Sequence, residues 1–380
     1  MLKPGDTLRG QRGPYTVTRK LAEGGMGVVH LGRNASGDAV VIKEPRITGK
    51  SDQDQLCIQK LGVETAILKS LSHKHIMRYE DSYVDSGLTY LVVEYIDGET
   101  WENAFKNNPA SEGDADKHII QVLDALAYMH DQNVIYRDFK PRNVMLSKRG
   151  ENKIIDFGAA KYFYTQIQDP KYEHTVIFSF GWTAPEQQWG GASFQSDIYA
   201  AGATLFYLLT GKPPALWMDG RGQIKPPSAI NPRAGRLSNV VMKAMDLDPN
   251  KRYQTARDMI NDIQGKLSAI GEPYVICGSH KHVISDEATV GRAGDCDIPI
   301  SDPVKFISKR HAKIYMRGGQ YWIKDLGSLN GTFIAQDPSK FQKLAPNSPR
   351  ALKDNDIIAL CYNSALGPYM TLKFKMPGAS

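Results

Sequence analysis

Two short segments of the chain carry polar side chains at spacings that suit phosphoryl transfer. Residues 136–143, with the sequence YRDFKPRN, place Asp138, Lys140 and Asn143 on one loop. The tripeptide Asp-Phe-Gly at 156–158 begins thirteen residues after Asn143, and its glycine allows the backbone to turn. Phosphoryl transfer requires a carboxylate that orients the attacking hydroxyl, a cation beside the moving phosphate and oxygen ligands for magnesium. The order and spacing of the two segments predict this chemistry.

A glycine-rich turn lies upstream, between two predicted strands. Residues 21–29 read LAEGGMGVV, and glycines at 24 and 27 allow the backbone to close over phosphates without an intervening Cβ. An apolar strand over residues 40–43 follows and ends in Lys43, whose ammonium is placed to reach the α- and β-phosphates.

Lys43 requires an anion beside it, because an unpaired charge in a closed cleft is costly. The predicted partner is Glu64. Apolar residues follow it at i+3, i+4 and i+7 (Ile67, Leu68 and Leu71), so the carboxylate lies on the apolar face of a predicted helix.

With an Ala-Pro-Glu tripeptide at 184–186, these motifs resemble the eukaryotic-like (Hanks-type) serine/threonine protein kinase family over residues 10–268. The resemblance implies an α+β bilobal fold, with a β-rich N-lobe and a helical C-lobe, and ATP and Mg²⁺ as cofactors. It also implies a role for each matching residue. The implied catalytic residues are Asp138, Lys140, Lys43 and Glu64; the implied ATP-binding residues are Leu21, Ala22, Gly24, Gly27, Val29, Lys43, Glu94 and Ile96; the implied metal ligands are Asn143 and Asp156.

Other positions match structural residues of that family or depart from its pattern. Val93 matches the gatekeeper, Asp197 the helix residue that fixes the catalytic loop, and Arg252 the cation of a buried ion pair at the end of the activation segment. Ala22 replaces the first glycine of the turn, and Tyr136 replaces the usual histidine. Neither change removes a group that the chemistry requires, so we expect an active enzyme.

The substrate class follows from the same resemblance. Lys140, two residues after Asp138, is typical of kinases that phosphorylate serine or threonine. A full activation segment over residues 156–186 favours a protein substrate over a small molecule.

Regulation by phosphorylation is a further expectation. Arg137, next to the catalytic aspartate, is placed to bind a phosphate on the activation segment and so order it. Thr175, in the middle of that segment, is the predicted phosphorylation site, and an unmodified loop hydroxyl is the alternative. Ser179 matches a threonine that hydrogen-bonds the catalytic aspartate in the family, so its expected role is structural.

The sequence pattern changes after residue 273. Gly271 and Pro273 end the last predicted kinase helix, residues 255–267, and residues 269–273 form a short predicted linker. Residues 274–376 contain short alternating apolar runs separated by turn residues about every ten positions, which is typical of an antiparallel β-sandwich.

Three loop clusters stand out in this predicted sandwich. They are Gly-Arg at 291–292, Ser-Lys-Arg-His at 308–311 and Ser-Leu-Asn-Gly-Thr at 328–332. Loops at one end of a sandwich can converge, and an arginine with hydroxyl and amide groups around it suits a phosphate on an extended peptide.

Together the clusters resemble the forkhead-associated (FHA) domain, a phosphothreonine-binding module, over residues 274–376. The resemblance implies that Arg292 and Ser308 contact the phosphate, that Asn330 fixes the peptide backbone and that Lys309 assists. His311 is expected to brace the loop. A domain of this fold that no longer binds phosphopeptides is the alternative.

Composition narrows the remaining possibilities. The chain has 380 residues, a net charge of +6 and four scattered cysteines, which predict neither a zinc site nor a disulfide framework. No apolar run of about 18 residues and no signal segment is visible, so we expect a cytoplasmic protein without a membrane contact. No dense basic stripe predicts nucleic-acid binding. The polar stretch at 103–117 predicts a surface loop.

We therefore predict a serine/threonine protein kinase fused to an FHA domain. The predicted partners are protein substrates with serine or threonine acceptors and phosphothreonine peptides, including the phosphorylated activation segment of a second copy. The linker region spans about 20 Å when extended, which favours binding in trans. The alternative is a phosphothreonine-binding adaptor whose kinase domain is inactive or only conformational.

Overall fold

The computed structural model describes residues 1–24, 27–162, 179–189, 191–266, 273–338, 340–364 and 367–376. The chain divides into two compact units. The first consists of Met1–Met129, Val134–Lys161 and Val176–Arg252, and the second of His130–Asn133, Tyr162–Thr175 and Tyr253–Ser380.

A twisted antiparallel sheet forms the N-terminal part of the first unit. The strands up to residue 162 are β1 Thr7–Gly10, β2 Gly13–Glu23, β3 Gly27–Arg33, β4 Ala39–Pro45, β5 Tyr79–Asp85, β6 Leu88–Glu94, β7 Gly98–Thr100, β8 Val134–Ile135, β9 Val144–Ser147, β10 Asn152–Ile154 and β11 Lys161–Tyr162. The main sheet has the order β1-β2-β3-β4-β6-β5, and smaller sheets have the orders β10-β9-β7 and β11-β8. This sheet, followed by helices, matches the expected β-rich lobe and helical lobe.

Helices dominate the rest of the kinase-like region. They are α1 Ser51–Ser70, α2 Trp101–Phe105, α3 Glu112–Asp131, α4 Phe194–Thr210, α5 Leu237–Ala244 and α6 Ala256–Ile263. Almost every residue of α4 is buried, and a capping box from Ser193 and Ser196 begins the helix. None of the helices within the described ranges is long and apolar enough to cross a membrane.

The expected surface loop at 103–117 is confirmed only for residues 106–111, and both of its ends are helical. α2 continues to the buried Phe105, and α3 already begins at Glu112 and buries Ala115. The polar stretch, rich in Asn, Asp and Gly, resembles a loop, but the acidic residues at 112 and 114 are favourable in the first turn of a helix. The last predicted kinase helix is shorter than expected: Thr255 caps α6, which ends at Ile263.

Two sheets make up the C-terminal part of the second unit, which confirms the predicted all-β sandwich. Their strands are β12 Tyr274–Cys277, β13 His280–Val283, β14 Glu287–Gly291, β15 Ile298–Pro299, β16 Ala312–Arg317, β17 Gln320–Asp325, β18 Thr332–Ala335, β19 Gln342–Lys343, β20 Arg350–Ala351, β21 Ile357–Asn363 and β22 Gly367–Lys375. The sheet orders are β13-β12-β22-β21-β18-β19 and β15-β14-β16-β17-β20. Alternate residues of both sheets, such as Val290, Ile314, Ile358 and Phe374, form the shared core.

A buried arginine ties the end of the activation segment to the helical region of the first unit. The Arg252 guanidinium, fully buried, forms two contacts with the Glu186 carboxylate, at 2.6 and 2.9 Å. It also donates to the carbonyl oxygens of Asp246 and Gln195 and lies 4.9 Å from the Tyr199 ring centroid. Because these acceptors converge on one cation, they depend on it together.

We expect Arg252→Met to lower the free energy of unfolding of the first unit by about 3 kcal/mol, because it removes the cation paired with the Glu186 carboxylate and the donor to the Asp246 and Gln195 carbonyls. Urea unfolding followed by tryptophan fluorescence is the measurement, since four of the five tryptophans lie in that unit. The control is Lys148→Ala, which removes an exposed ion pair with Asp97 and should cost at most about 0.5 kcal/mol. Equal losses in the two variants would contradict the prediction.

Candidate active site and candidate phosphopeptide site

The loop after β8 brings Asp138, Lys140 and Asn143 together. Lys140 Nζ lies 2.6 Å from Asp138 Oδ1, and each of these two side chains is only 14% exposed. Asn143 Nδ2 donates to the Asp138 carbonyl at 2.8 Å and to Asp138 Oδ2 at 3.0 Å. Burial raises the pKa of Asp138, and the neighbouring Lys140 ammonium opposes that rise. The result is a carboxylate held in one orientation with a cation beside it.

Ser179 reaches the same cluster through Lys140. Lys140 Nζ donates to Ser179 Oγ at 3.2 Å, and Ser179 N donates to Thr183 Oγ1 at 2.9 Å. The family resemblance implied a hydrogen bond to the aspartate at this position. Instead the ammonium, which has three donors, stands between Asp138 and Ser179 and contacts both.

A second cluster joins Lys43, Glu64 and the Asp-Phe-Gly segment. Lys43 Nζ lies 2.6 Å from Glu64 Oε1, and Phe157 N donates to the same oxygen at 3.3 Å. Burial alone would lower the pKa of Lys43, but the carboxylates of Glu64 and Asp156 raise it above its ordinary value. The predicted apolar face of the helix is also present. Ile67 and Leu68 on α1 and Leu71 just after it are buried, and so is Glu64. Lys43 is therefore charged and held in place.

Asp156 and Asn143 offer oxygen atoms that suit a hard divalent cation. Gly158 N donates to Asp156 Oδ1 at 3.1 Å, and Ile155 N donates to the Asn143 carbonyl at 3.0 Å, which ties the two segments side by side. The Asn143 amide nitrogen is directed at Asp138, so its oxygen is the end that can meet a cation. These two residues fit the implied metal.

The glycine-rich turn lies against the strand that carries Lys43. Gly24 N donates to the Gly27 carbonyl at 2.9 Å, and β3 pairs with β4 so that Val29 lies opposite Lys43. Leu21 and Ala22 lie near the end of β2 on the other side of the turn, with Ala22 opposite Val29. Residues 25 and 26 lie outside the described ranges. The predicted nucleotide-binding residues of this turn thus belong to one hairpin.

The predicted hinge begins where β6 ends at Glu94. The Glu94 carboxylate accepts hydrogen bonds from Arg78 N at 2.7 Å and from Lys153 Nζ at 2.6 Å, which fixes the end of the strand. Val93 is fully buried, and Ile96 follows outside the strand, half-buried. The backbone after Glu94 therefore leaves the sheet at the position expected to read an adenine edge.

Asp197 on α4 supports the catalytic loop from beneath. Its two buried oxygens accept hydrogen bonds from Tyr136 N at 2.9 Å and Arg137 N at 2.8 Å. Arg137 has a φ of +71°, a left-handed conformation that is uncommon for a side chain of this size. The Tyr136 ring packs edge-on against Phe139 and Phe157, so it fills space at the position where the family usually has histidine.

Arg137 and Lys60 bring two cationic groups into one buried region. Burial lowers the pKa of both groups, and the Arg137 charge lowers that of Lys60 further. Arg137 Nε has no hydrogen-bond partner among the described residues. Lys60 was not predicted from the sequence, although its place one helical turn before Glu64 was the available signal. Thr175, the predicted phosphorylation site, lies outside the described residues.

In the second unit, one backbone and two side-chain hydrogen bonds bring the three predicted loop clusters together. Arg292 N donates to the Ser308 carbonyl at 3.2 Å. Leu329 N donates to Ser308 Oγ at 3.1 Å, and Asn330 Nδ2 donates to the Phe306 carbonyl at 2.8 Å. A Cβ on Gly291 would lie 2.2 Å from the Lys309 carbonyl oxygen, so only glycine permits this approach. Arg292, Ser308, Lys309 and Asn330 therefore share one end of the sandwich.

Two buried side chains hold these loops. His311 Nδ1 accepts from Ser308 N at 3.2 Å, so Nε2 carries the ring proton and donates to the Gly331 carbonyl at 3.0 Å. The Asp325 carboxylate accepts four hydrogen bonds, from the backbone of residues 327 and 328 and from the hydroxyls of Ser328 and Thr332. Burial alone would raise the pKa of Asp325, but these hydrogen bonds lower it. The bracing role of His311 was expected; Asp325 was missed, because one aspartate before a turn is a weak signal.

Known proteins share both parts of this arrangement. A family model described as the protein kinase domain matches residues 15–263, and one described as the FHA domain matches residues 288–361. The serine/threonine-protein kinase PrkC of Bacillus subtilis is 34% identical over 326 residues, which cover 79% of this chain and 49% of that protein. A probable serine/threonine-protein kinase PknB of Lactococcus lactis is 33% identical over 273 residues, which cover 67% of this chain and 42% of that protein. This chain thus spans less than half the length of either relative.

A solved structure shows the same fold. The kinase domain of Mycobacterium tuberculosis PknI superposes with a TM-score of 0.55 at 24% identity, over 70% of this chain and 99% of that domain. The kinase family model covers more than half of the chain and includes every residue of the two clusters around Asp138 and Lys43. The chain belongs to the protein kinase family and carries an FHA domain in its C-terminal part.

Proposed function

We propose that this chain is an ATP-dependent serine/threonine protein kinase that transfers the γ-phosphoryl group to serine or threonine of protein substrates. The observation that carries the proposal is the loop cluster in which Lys140 and Asn143 both contact the Asp138 carboxylate. Asp138 orients the substrate hydroxyl and accepts its proton, and its raised pKa makes it a stronger base. Lys140 stabilises the phosphoryl group in transit, and its contact with Ser179 supports the Ser/Thr assignment.

ATP is proposed to lie between the glycine-rich hairpin and the hinge. Lys43, held by Glu64, positions the phosphates, and Leu21, Ala22, Gly24, Gly27 and Val29 cover them and the base. The backbone of Glu94 and Ile96 contacts the adenine edge. Asn143 and Asp156 would hold Mg²⁺, which neutralises charge on the phosphates when bound.

Regulation is proposed to act through Arg137. A phosphate on Thr175 would add negative charge beside Arg137, and it would order the activation segment. Lys60 lies on α1 one turn before Glu64. The same phosphate would therefore also act on the helix whose Glu64 side chain holds Lys43.

The FHA domain is proposed to bind phosphothreonine peptides. Arg292, Ser308 and Lys309 bind the phosphate, and Asn330 binds the peptide backbone. The ligand would be a phosphorylated substrate or the activation segment of another copy, so the second domain docks what the first produces. We assign the kinase domain to residues 10–268, the linker to 269–273 and the FHA domain to 274–376. The cytoplasm is the proposed compartment, since all four cysteines are free thiols.

Asp138→Asn should reduce phosphorylation by about 10²- to 10⁴-fold, because the amide cannot accept the hydroxyl proton. The measurement is incubation with magnesium-ATP and a basic protein substrate, followed by mass spectrometric mapping of sites. We expect the wild type to carry phosphothreonine within residues 162–183. The control is Asp85→Asn, an exposed carboxylate far along β5, which should keep wild-type activity. Equal phosphorylation by wild type and Asp138→Asn would contradict the role of Asp138, and no phosphate on either protein would favour the adaptor alternative.

Arg292→Ala should weaken phosphopeptide binding at least about tenfold, because charge-assisted hydrogen bonds to the phosphate are lost. Fluorescence anisotropy with a labelled peptide of residues 168–182 phosphorylated at Thr175 measures the affinity of the full chain. The unphosphorylated peptide should not bind. The matched variant is Arg317→Ala, an exposed arginine at the end of β16, which should leave the affinity unchanged. Similar affinities for Arg292→Ala and wild type would contradict the proposed pocket.

The pocket should also weaken in acid through His311. Burial lowers the pKa of His311, so the unfolded chain binds a proton that the folded ring does not. Its contribution to stability is therefore fully present above about pH 6.5 and is lost as the pH falls through the lowered pKa. A protonated ring also loses the Nδ1 acceptor for Ser308 N.

We therefore expect wild-type affinity for the phosphopeptide to fall more steeply between about pH 7.5 and 5.5 than that of His311→Gln, whose amide does not gain a proton in this range. The peptide phosphate also titrates there, but equally for both proteins, so the difference between the two curves isolates His311. Parallel curves would count against this role.

A further inference from the structure

A buried ionisable pair lies behind the ATP-binding hairpin and has no role in the proposed chemistry. His30 Nε2 on β3 lies 2.8 Å from Glu44 Oε1 on β4, and the two side chains are 2% and 3% exposed. The backbone N–H of Leu2 donates to both oxygens of Glu44, at 3.1 Å each. Glu44 directly follows Lys43, and β3 directly follows the glycine-rich turn.

The strand register separates this pair from the cleft. Val28 lies opposite Glu44 and Val29 opposite Lys43, so successive residues face opposite sides of the sheet. Lys43 faces Glu64, whereas Val28, His30, Ile42 and Glu44 face the buried side. A shift of one residue between the strands would therefore turn Lys43 away from the phosphates.

The type of contact changes along this buried side. Val40 and Ile42 pack into an apolar cluster with residues of β1, β2 and β6, but Glu44, at the end nearest the glycine-rich turn, makes polar contacts instead. Apolar burial is non-directional, whereas a hydrogen bond constrains both distance and angle. Gly27 also rests against Glu44, since a Cβ there would lie 2.8 Å from the Glu44 carbonyl oxygen.

A buried hydrogen bond between two ionisable side chains is weak evidence for stability, because the cost of desolvating the polar groups offsets their attraction. Apolar side chains of similar size are often as stable in such a place. Stability therefore does not explain why this end of the hairpin is polar.

We propose that His30 and Glu44 are positioning residues that fix the hairpin of β3 and β4 so that Lys43 and the glycine-rich turn meet the phosphates of ATP. The pair acts from behind the sheet and touches neither ATP nor the substrate. This proposal rests on the proposed kinase function.

The test replaces the pair by apolar residues. His30→Leu with Glu44→Leu in one protein should keep the melting temperature near that of the wild type and raise the KM for ATP at least about fivefold, with a smaller change in kcat. Glu44→Gln keeps an acceptor for His30 and Leu2, so it should keep the KM within about twofold. KM is the informative quantity, because a loss of folded protein lowers the apparent kcat but not KM.

The control is Val17→Ala on β2. It weakens the apolar cluster that contains Val40 and Ile42, so it should lower the melting temperature and leave the KM for ATP unchanged. A double variant with the wild-type KM would overturn the proposal, and so would an equal rise of KM in Val17→Ala. Calorimetric titration with magnesium-ATP measures a Kd for each variant, so the same comparison can be made without turnover. An inactive wild type would thus count against the kinase function, while the Kd values would still decide the role of the pair.

Discussion

The Glu64 carboxylate is the point at which the parts of the first unit become one site. It accepts from the Lys43 ammonium and from the Phe157 backbone, so a strand, a helix and the segment after Asp156 depend on one side chain. A buried carboxylate is costly without partners, and those partners are the groups that phosphoryl transfer needs in place. The contacts that offset the cost of burying this carboxylate therefore also fix the geometry of the site.

The same principle recurs at the other buried polar groups. Asp197 holds two successive backbone amides of the catalytic loop, and Asp325 holds four donors around the loop that ends in Asn330. In the first case the carboxylate supports the left-handed backbone at Arg137, and in the second a tight turn. In both, a residue outside the proposed ligand-binding groups determines where those groups lie. His311 does this between two loops rather than within one.

The sequence predicted those parts of the site in which the chemistry requires residues at short, fixed spacing. Asp138, Lys140 and Asn143 share one loop, and Glu64 could be paired with Lys43 because helical periodicity placed it on an apolar face. The start of α3 could not be predicted, since acidic residues are equally common in loops and in the first turn of a helix. Lys60 and Asp325 could not be predicted in this way. Their roles depend on packing between segments and on hydrogen bonds to the backbone, and no characteristic spacing of residues in the sequence marks either one.

The arrangement of charges also bears on the proposed regulation. Lys43 already has two carboxylates nearby, so its charge is stabilised before ATP binds. The Arg137 charge instead lowers the pKa of Lys60, and a dianionic phosphate near these two cations would oppose that effect. Binding of such a phosphate would act on the catalytic loop through Arg137 and on α1 through Lys60, and α1 carries Glu64. One modification could therefore bias both clusters of the active site, because the cation that receives it on α1 lies one helical turn from the carboxylate that holds Lys43.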